Sequence, residues 1–281
     1  MTKQTFEFDS ELEVNRLGFG AMQLPGTGVW GPSTDEENAV AVVKAVLNSD
    51  VNFIDTADSY GPFYANLYIK AALKDYQGPH KLIASKVGFT RPGPNQWSVV
   101  GDPDYLRQQV ELNLRTLGLD SIDLMQLHRV DPRFPIEEQV GVLADMQKEG
   151  KIRYIGLSQV TVEQIKRAQA VAKIASVQNR YNLIERDDED VLQYAAENHM
   201  AFIPWFPLAT GRLAQEEHGI LSQIANNHLA TPSQIALAWL LQKSDVILPI
   251  PGTSNIQHFE SNIQAAYITL SDAEFNALEQ L

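Results

Sequence analysis

The feature that most constrains this chain is the alternation of short apolar runs with amphipathic segments along nearly its whole length. There are eight such runs. Most of them are continuous rather than alternating, as expected for parallel strands that are buried on both faces. They lie at residues 18–22, 51–55, 82–86, 122–128, 154–158, 176–180, 201–205 and 246–250. The runs therefore predict a parallel sheet rather than a sheet with one solvated face.

Helical patterns lie between the runs, and several have clear signals at their ends. Asp102 precedes Pro103, and Gly118 follows Leu117, which is typical of a helix N-cap and C-cap. We predict helices at residues 35–47, 64–74, 103–117, 136–149, 161–173, 188–197, 231–243 and 256–265, with a last helix appended at residues 271–281.

Eight strand-then-helix units in about 250 residues have the size and rhythm of a closed (β/α)8 TIM barrel, an α/β fold. A doubly wound open sheet is the alternative, because alternation alone does not establish closure. The opening residues 6–8 (FEF) and 12–14 (LEV) predict a β-hairpin at the bottom of the barrel. No repeat, linker or change of composition divides the chain, so we expect residues 1–281 to form one domain.

Charge and composition exclude several classes of function. The chain has 22 Lys and Arg against 35 Asp and Glu, which gives a net charge of −13. Such an acidic surface repels nucleic acids and anionic membranes, so we expect neither as a partner. There is no cysteine, which excludes thiolate metal sites, and no metal site is predicted. The N-terminus has no apolar run typical of a signal peptide, and we expect a cytoplasmic protein that is a monomer or a weak oligomer.

Ionisable side chains close three neighbouring runs. Asp55 ends the second run, Lys86 the third and His128 the fourth, and Tyr60 follows Asp55 in the loop DTADSYG. Because the sites of such barrels form at the C-terminal ends of the strands, we expect these four side chains to meet.

These four residue types suit the reduction of a carbonyl group. A free tyrosine has a pKa of about 10, but an ammonium about 4 Å away favours the phenolate by roughly 4 kcal/mol. We therefore expect Lys86, held charged by Asp55, to lower the pKa of Tyr60. Tyr60 would then protonate the carbonyl oxygen as hydride arrives at the carbon, while a neutral His128 orients that oxygen.

The ordered set of motifs DTADSYG, ASKVG, LMQLH, YIGLS, VQNRYNL and IPGTSN resembles the aldo-keto reductase superfamily. The resemblance covers the chain from GFGAMQ to the last helix and is greatest to short bacterial members, some of which are pyridoxal reductases. It implies a barrel fold, extended binding of NADPH without a Rossmann fold, and reduction of an aldehyde or ketone. The catalytic tetrad of the family corresponds to Asp55, Tyr60, Lys86 and His128.

The resemblance also implies where the cofactor lies. Ser158 and Gln178 match residues that hold the nicotinamide amide, and Gln159 replaces the usual asparagine with the same amide one methylene further out. Trp205 is expected to stack on the nicotinamide ring. Other expected cofactor contacts are Gly20, Ala21, Met22, Gln23, Phe206, Leu208, Gly211, Arg212, Gly252, Thr253, Ser254, His258 and Asn262.

The loop that faces the 2′-phosphate in the family has no Lys or Arg in this chain, since residues 249–262 read PIPGTSNIQHFESN. The start of a helix and a protonated His258 would attract the phosphate instead. We therefore expect NADPH to be preferred by a modest margin and NADH to be tolerated.

The expected pocket is aromatic with little positive charge, which favours a planar or hydrophobic aldehyde such as pyridoxal. The chain ends at Leu281 directly after a helical pattern, so we expect no long C-terminal lid. Residues 26–31 have the pattern GxGxxG, but prolines flank them, and we interpret them as a flexible loop over the pocket rather than a dinucleotide motif. The walls are expected from Trp30, Phe63, Phe89, Trp97 and Arg129.

Two other functions are compatible with these residues. The first is an NADPH-binding sensor with little turnover, because the potassium-channel β subunits also resemble this family. The second is a barrel lyase or isomerase without a cofactor.

Overall fold

The computed structural model describes residues 4–208 and 219–281, and its strands form one large sheet and two hairpins. In chain order the strands are β1 (Thr5–Asp9), β2 (Leu12–Asn15), β3 (Phe19–Gly20), β4 (Phe53–Asp55), β5 (Leu82–Val87), β6 (Phe89–Gly93), β7 (Gln96–Val99), β8 (Ile122–Leu127), β9 (Ile152–Ser158), β10 (Ile174–Gln178) and β11 (Ala201–Phe202). The large sheet is parallel and has the order β3-β4-β5-β8-β9-β10-β11.

Residues 246–251 close this sheet into a barrel. On one side the N–H of Phe202 donates to the carbonyl of Val246, and the N–H of Leu248 donates to the carbonyl of Phe202, both at 2.8 Å. On the other side the carbonyls of Pro249 and Pro251 accept from the N–H groups of residues 18 and 20 at 2.9 and 3.3 Å. The sheet is therefore a closed (β/α)8 barrel, as predicted, and not a doubly wound open sheet.

The eighth predicted strand, at residues 246–250, is not a regular strand in the structure. It joins its neighbours by isolated bridges, Phe202 to Ile247 and Gly20 to Gly252. Pro249 and Pro251 explain the difference, because proline has no N–H to donate to a ladder. The apolar run correctly marked the position of the segment but not its regularity.

Ten α-helices surround the sheet in the described residues, and most begin and end where the sequence predicts. Asp102 caps the third helix by accepting from the N–H groups of residues 104 and 105, and Gly118 ends it with a φ of 73°. The helices are α1 (Glu36–Leu47), α2 (Tyr64–Leu73), α3 (Pro103–Leu117), α4 (Ile136–Lys148), α5 (Val162–Gln169), α6 (Glu189–Glu197), α7 (Ile220–Asn227), α8 (Pro232–Lys243), α9 (Ile256–Ile263) and α10 (Asp272–Leu278).

Two elements were not predicted, and three helices, α5, α9 and α10, end at least two residues before their predicted ends. The hairpin β6–β7 contains the sequence RPGPN, which is typical of a loop, and helix α7 has no side-chain cap at its N-terminus. Helix α5 ends at Gln169 rather than at residue 173. In residues 4–208 and 219–281, no helix is long and apolar enough to cross a bilayer.

The predicted hairpin at the bottom of the barrel is present as β1–β2, with Phe6 opposite Val14 in the antiparallel register. The Phe6 ring stacks on His199, just before β11, with centroids 5.1 Å apart. Phe8 contacts Tyr154 near the start of β9. The hairpin therefore covers the N-terminal end of the strands and leaves the C-terminal end for the site.

Candidate active site

Three neighbouring strands carry ionisable side chains at their C-terminal ends. Asp55 is the last residue of β4, Lys86 is the second-to-last residue of β5, and His128 directly follows β8. These strands are adjacent, with Asp55 opposite Ala84 and Lys86 opposite Gln126. The fold thereby brings the three groups to one rim, and the loop after β4 adds Tyr60.

The ammonium of Lys86 joins these groups. It donates to Asp55 Oδ1, to the carbonyl of Thr56 at 2.9 Å and to the hydroxyl oxygen of Tyr60 at 3.0 Å. Because an ammonium has three N–H donors, all three are used. Lys86 is 0% exposed, so its charge is buried against the phenol oxygen of Tyr60.

The second oxygen of Asp55 is also held. Oδ2 accepts from Gln126 Nε2 at 3.0 Å and from Gln178 Nε2 at 2.9 Å. These bonds come from β8 and β10, so two further strands fix the orientation of the carboxylate toward Lys86.

A buried polar network behind the barrel wall holds Thr56, whose carbonyl is the third acceptor of Lys86. The Thr56 hydroxyl donates to Asn66 Oδ1 at 2.9 Å, and Asn66 Nδ2 donates to Asn113 Oδ1 at 2.8 Å. Ser85 donates to the same oxygen of Asn113 at 2.7 Å. Helices α2 and α3 thus position the main chain beside the ammonium.

The pKa of Tyr60 is raised above its ordinary value of 10.0, because burial disfavours the phenolate. Lys86 lowers this pKa and Asp55 raises it, and the sum remains upward. The expectation of a lowered pKa is therefore wrong, since it omitted the desolvation of the phenol. The hydroxyl stays protonated at neutral pH, which is the state that a proton donor requires.

The pKa of Lys86 is raised as well. Desolvation lowers it, but the attraction of Asp55 and the contact with Tyr60 together outweigh desolvation. Lys86 therefore remains an ammonium, with its charge beside the hydroxyl oxygen of Tyr60.

His128 lies beside Tyr60, with ring centroids 6.0 Å apart and the rings nearly perpendicular. Burial lowers its pKa well below the ordinary value of 6.5, and the charges of Lys86, Arg129 and Arg91 lower it further. The predicted neutral imidazole is consistent with this direction. Its Nδ1 is 3.4 Å from the hydroxyl oxygen of Ser59.

The residues predicted to hold the nicotinamide lie on the opposite side of the rim. Ser158 donates to the carbonyl of Gln178 at 2.9 Å and accepts from Arg129 at 3.0 Å. The amide of Gln159 donates to Asp188 at 3.1 Å and accepts from the indole N–H of Trp205 at 2.9 Å. Gln159 therefore fixes the Trp205 ring, and a contact between Gln159 and the nicotinamide stays a prediction.

The residues predicted for the rest of the cofactor lie where the barrel closes. Gly20 and Gly252 pack backbone to backbone, since a Cβ on Gly252 would lie 2.8 Å from the carbonyl oxygen of Gly20. Ala21 is buried, Met22 and Gln23 are exposed, and Phe206 and Leu208 are half-buried. Gly211 and Arg212 lie outside the described residues.

Helix α9 begins beside this closure. Asn255 caps it by accepting from the N–H of His258 at 3.1 Å, and its first turn has no acidic residue. Ser254 and His258 are exposed there, whereas Thr253 and Asn262 are buried. Hydroxyl and N–H groups without a carboxylate in this turn suit an anionic phosphate.

Four of the five predicted pocket residues cluster around Tyr60 and His128. Phe89 packs on His128 with centroids 4.6 Å apart, and Trp97 lies edge-on to Tyr60 at 6.5 Å. The Arg129 guanidinium lies 5.5 Å from the ring centroids of both Phe89 and Trp205. Trp30 is linked to this cluster by its contact with Arg91. Arg91 was not among the residues predicted from the sequence. Phe63 starts α2 and takes part in none of these ring contacts within the described residues.

The depressed pKa of His128 makes the folded protein lose stability in mild acid. Unfolded histidine has a pKa of about 6.5, so below this pH the unfolded state binds one proton more than the folded state. The free energy of unfolding then falls by about 1.4 kcal/mol per pH unit. Urea unfolding at pH 7.5 and pH 5.5 should show a loss larger by roughly 1 kcal/mol in the wild type than in His128→Gln. Equal losses in the two proteins would show that the pKa of His128 is not lowered by folding.

Comparison with known proteins identifies the family of this chain. Residues 16–281 match the aldo/keto reductase family. The chain is 47% identical over 270 residues to an uncharacterised oxidoreductase of Schizosaccharomyces pombe, which covers 96% of this chain and 87% of that protein. It is 40% identical over 285 residues to pyridoxine 4-dehydrogenase of Escherichia coli, with 99% and 98% covered.

Solved structures that are similar to this chain include an aldo-keto reductase from Klebsiella pneumoniae in complex with NADPH. That structure has a TM-score of 0.84 and 26% sequence identity to this chain, with 100% of this chain and 95% of the other covered. The fold, the position of the site and the match over residues 16–281 lead to one assignment. The chain belongs to the aldo/keto reductase family and is an NAD(P)H-dependent oxidoreductase.

Proposed function

We propose that this enzyme reduces the carbonyl group of an aldehyde or ketone to an alcohol, with Tyr60 as the general acid and NADPH as the cofactor. The observation that carries the proposal is the contact of one buried ammonium, Lys86, with both Asp55 and the Tyr60 hydroxyl. A neutral His128 beside the Tyr60 ring supports it.

Three residues of the chain take part in the proton transfer. When bound, NADPH supplies the hydride that reaches the carbonyl carbon. Tyr60 donates its proton to the carbonyl oxygen, and Lys86 stabilises the phenolate that remains. His128 donates a hydrogen bond to the same oxygen and keeps it facing Tyr60.

The described residues offer partners for the nicotinamide amide. The Nε2 of Gln178 is used by Asp55, but its Oε1 receives no donor from the described part of the chain. The carboxamide NH2 of the nicotinamide would supply that donor. The hydroxyl of Ser158, the residue paired with Gln178 on the neighbouring strand, lies 3.0 Å from Arg129. Trp205, held by Gln159, offers an aromatic face.

The substrate that we propose is a planar aldehyde such as pyridoxal. Phe89 and Trp97 line one side of the Tyr60–His128 pair, with their own centroids 5.5 Å apart. Flat aromatic walls bury a planar ring well and offer little to a polar sugar. The relative in Escherichia coli that is 40% identical is a pyridoxine 4-dehydrogenase.

Tyr60→Phe should reduce kcat by about 10²–10⁴-fold and leave NADPH affinity little changed, because only the proton donor is removed. Lys86→Met should be at least as damaging, since it removes the charge that stabilises the phenolate. Tyr267→Phe, which changes a tyrosine that is 73% exposed, is the matched control. Steady-state NADPH oxidation and fluorescence titration of NADPH measure the two quantities. More than a tenth of wild-type activity in Tyr60→Phe would assign the acid to another group.

Pyridoxal should be reduced with a higher kcat/KM than glucose. The aromatic walls bury the pyridine ring, whereas glucose is mostly cyclic and very polar. Initial rates with both substrates at saturating NADPH test this expectation. A kcat/KM for glucose equal to or above that for pyridoxal would reject the proposed pocket.

NADPH should be preferred over NADH by a modest margin, because residues 249–262 contain no Lys or Arg. One charged hydrogen bond contributes about 1.5–3 kcal/mol, so its absence should reduce discrimination by roughly 10–150-fold.

The variant His258→Gln tests whether this exposed side chain of α9 contributes to the preference. kcat/KM for both cofactors at pH 8, in the wild type and in His258→Gln, gives the answer. A preference for NADPH above about a thousandfold at pH 8 (roughly 4 kcal/mol) would mean that a cationic contact exists elsewhere.

A further inference from the structure

We propose that Arg91 is a positioning residue that fixes the aromatic side of the substrate pocket and so sets the selectivity of the enzyme for planar aldehydes. The inference rests on the proposed carbonyl reductase function. Arg91 lies in β6, is only 8% exposed, and does not belong to the catalytic tetrad.

All five N–H donors of the Arg91 guanidinium are used, and every acceptor is a main-chain carbonyl. Nε donates to Gln96 at 2.7 Å, Nη1 donates to Val29 and Ser59 at 2.7 Å each, and Nη2 donates to Gly28 at 2.8 Å and to Gly93 at 3.4 Å. One side chain therefore joins three segments: the loop at residues 26–31, the DTADSYG loop and the hairpin β6–β7.

The same guanidinium holds two of the pocket tryptophans. Its Cζ lies 3.6 Å from the ring centroid of Trp97 and 5.8 Å from that of Trp30. Trp97 in turn contacts the rings of Tyr60 and His128, each at 6.5 Å. Arg91 thus fixes the ring that lies next to the proton-donating hydroxyl.

Main-chain hydrogen bonds show that the loop at residues 26–31 is tied to its neighbours. Gly31 donates to the carbonyl of Gly61 at 2.8 Å, and Asn95 donates to the carbonyl of Gly28 at 2.9 Å. Gly28 has a φ of 72°, and a Cβ there would lie 2.8 Å from the Cβ of Pro94. The loop that the sequence predicted to be flexible is therefore held in the structure by the segments that Arg91 joins.

Lysine cannot replace arginine in this role. It offers three donors from one point instead of five in a planar fork, and it does not stack flat on an indole. Arg91→Lys therefore keeps the positive charge beside His128 but loses the contacts that fix Trp97 and the loop at residues 26–31. This variant separates the positioning of the wall from the charge of Arg91.

The first experiment measures kcat/KM for benzaldehyde and for propanal with NADPH in the wild type, in Arg91→Lys and in the control Arg107→Lys. Arg107 is a partly exposed arginine paired with Glu149 on the outer surface. The ratio of benzaldehyde to propanal should fall about tenfold in Arg91→Lys, through KM rather than kcat, and should stay constant in Arg107→Lys. Equal losses for both aldehydes, or no change, would overturn the assignment.

A second variant guards against a general folding defect. Trp97→Leu removes the ring without touching the five hydrogen bonds, so it should lower the same ratio. The double variant Arg91→Lys/Trp97→Leu should then fall no further than Trp97→Leu alone, because both changes act on one wall. Additive losses would contradict the proposed link between the two residues.

Amide hydrogen exchange keeps the test independent of turnover. The N–H groups of Gly31, Gly61 and Asn95 should exchange faster in Arg91→Lys than in the wild type, while those of β1–β2 should not change. If the wild type reduced neither aldehyde, the proposed function would fail and the exchange result would still decide the role of Arg91. Unchanged exchange at these three amides would overturn that role.

Discussion

Lys86 and Asp55 form an ion pair in which neither side chain is more than 1% exposed. A buried pair of this kind is costly unless every donor and acceptor is satisfied. The acceptors come from the end of β4 and from Tyr60, and the donors to Asp55 come from Gln126 on β8 and Gln178 on β10. The closed barrel is what brings these strand ends to one rim, so the charge at the centre depends on the correct closure of the sheet.

The pairing of Lys86 with Asp55 helps to explain why the pKa of Tyr60 is not lowered below its ordinary value. Lys86 faces Asp55 as well as the phenol, so its charge is largely compensated in the resting protein, and burial raises the pKa of Tyr60. In the proposed reaction Tyr60 gives up its proton, and the phenolate becomes a second anion beside the same ammonium. The structure favours a protonated phenol in the resting protein, and in our proposal Lys86 stabilises the phenolate after proton transfer.

Much of the fold and part of the site could be predicted from sequence because the signals are local. The apolar runs placed the strand ends, and Asp55, Lys86 and His128 close three of them. Arg91 could not be found in this way, since its role depends on carbonyls at Gly28 and Ser59 that are remote in sequence. Main-chain acceptors also have no residue type that a pattern could detect.

The electrostatics of the pocket were harder to predict for the same reason. A pocket with little positive charge was expected, yet Lys86, Arg91 and Arg129 all lower the pKa of His128. Lys86 has a carboxylate partner, whereas Arg91 binds carbonyls and Arg129 binds the carbonyl of His128 and the Ser158 hydroxyl. Within residues 4–208 and 219–281, the positive charges of Arg91 and Arg129 are therefore not neutralised by an acidic side chain in contact with them.

In the proposed carbonyl reduction, this potential acts on both His128 and the reacting oxygen. Burial and these charges together favour a neutral imidazole, which in our proposal orients the carbonyl oxygen without competing with Tyr60 as a proton donor. The same charges would favour the negative charge that develops on that oxygen as hydride reaches the carbon. In the proposed pocket, aromatic walls of low dielectric would strengthen the effect of these charges on that oxygen. The contacts of Arg91 with Trp97, and of Arg129 with Phe89 and Trp205, therefore place aromatic rings and positive charge together at the candidate site.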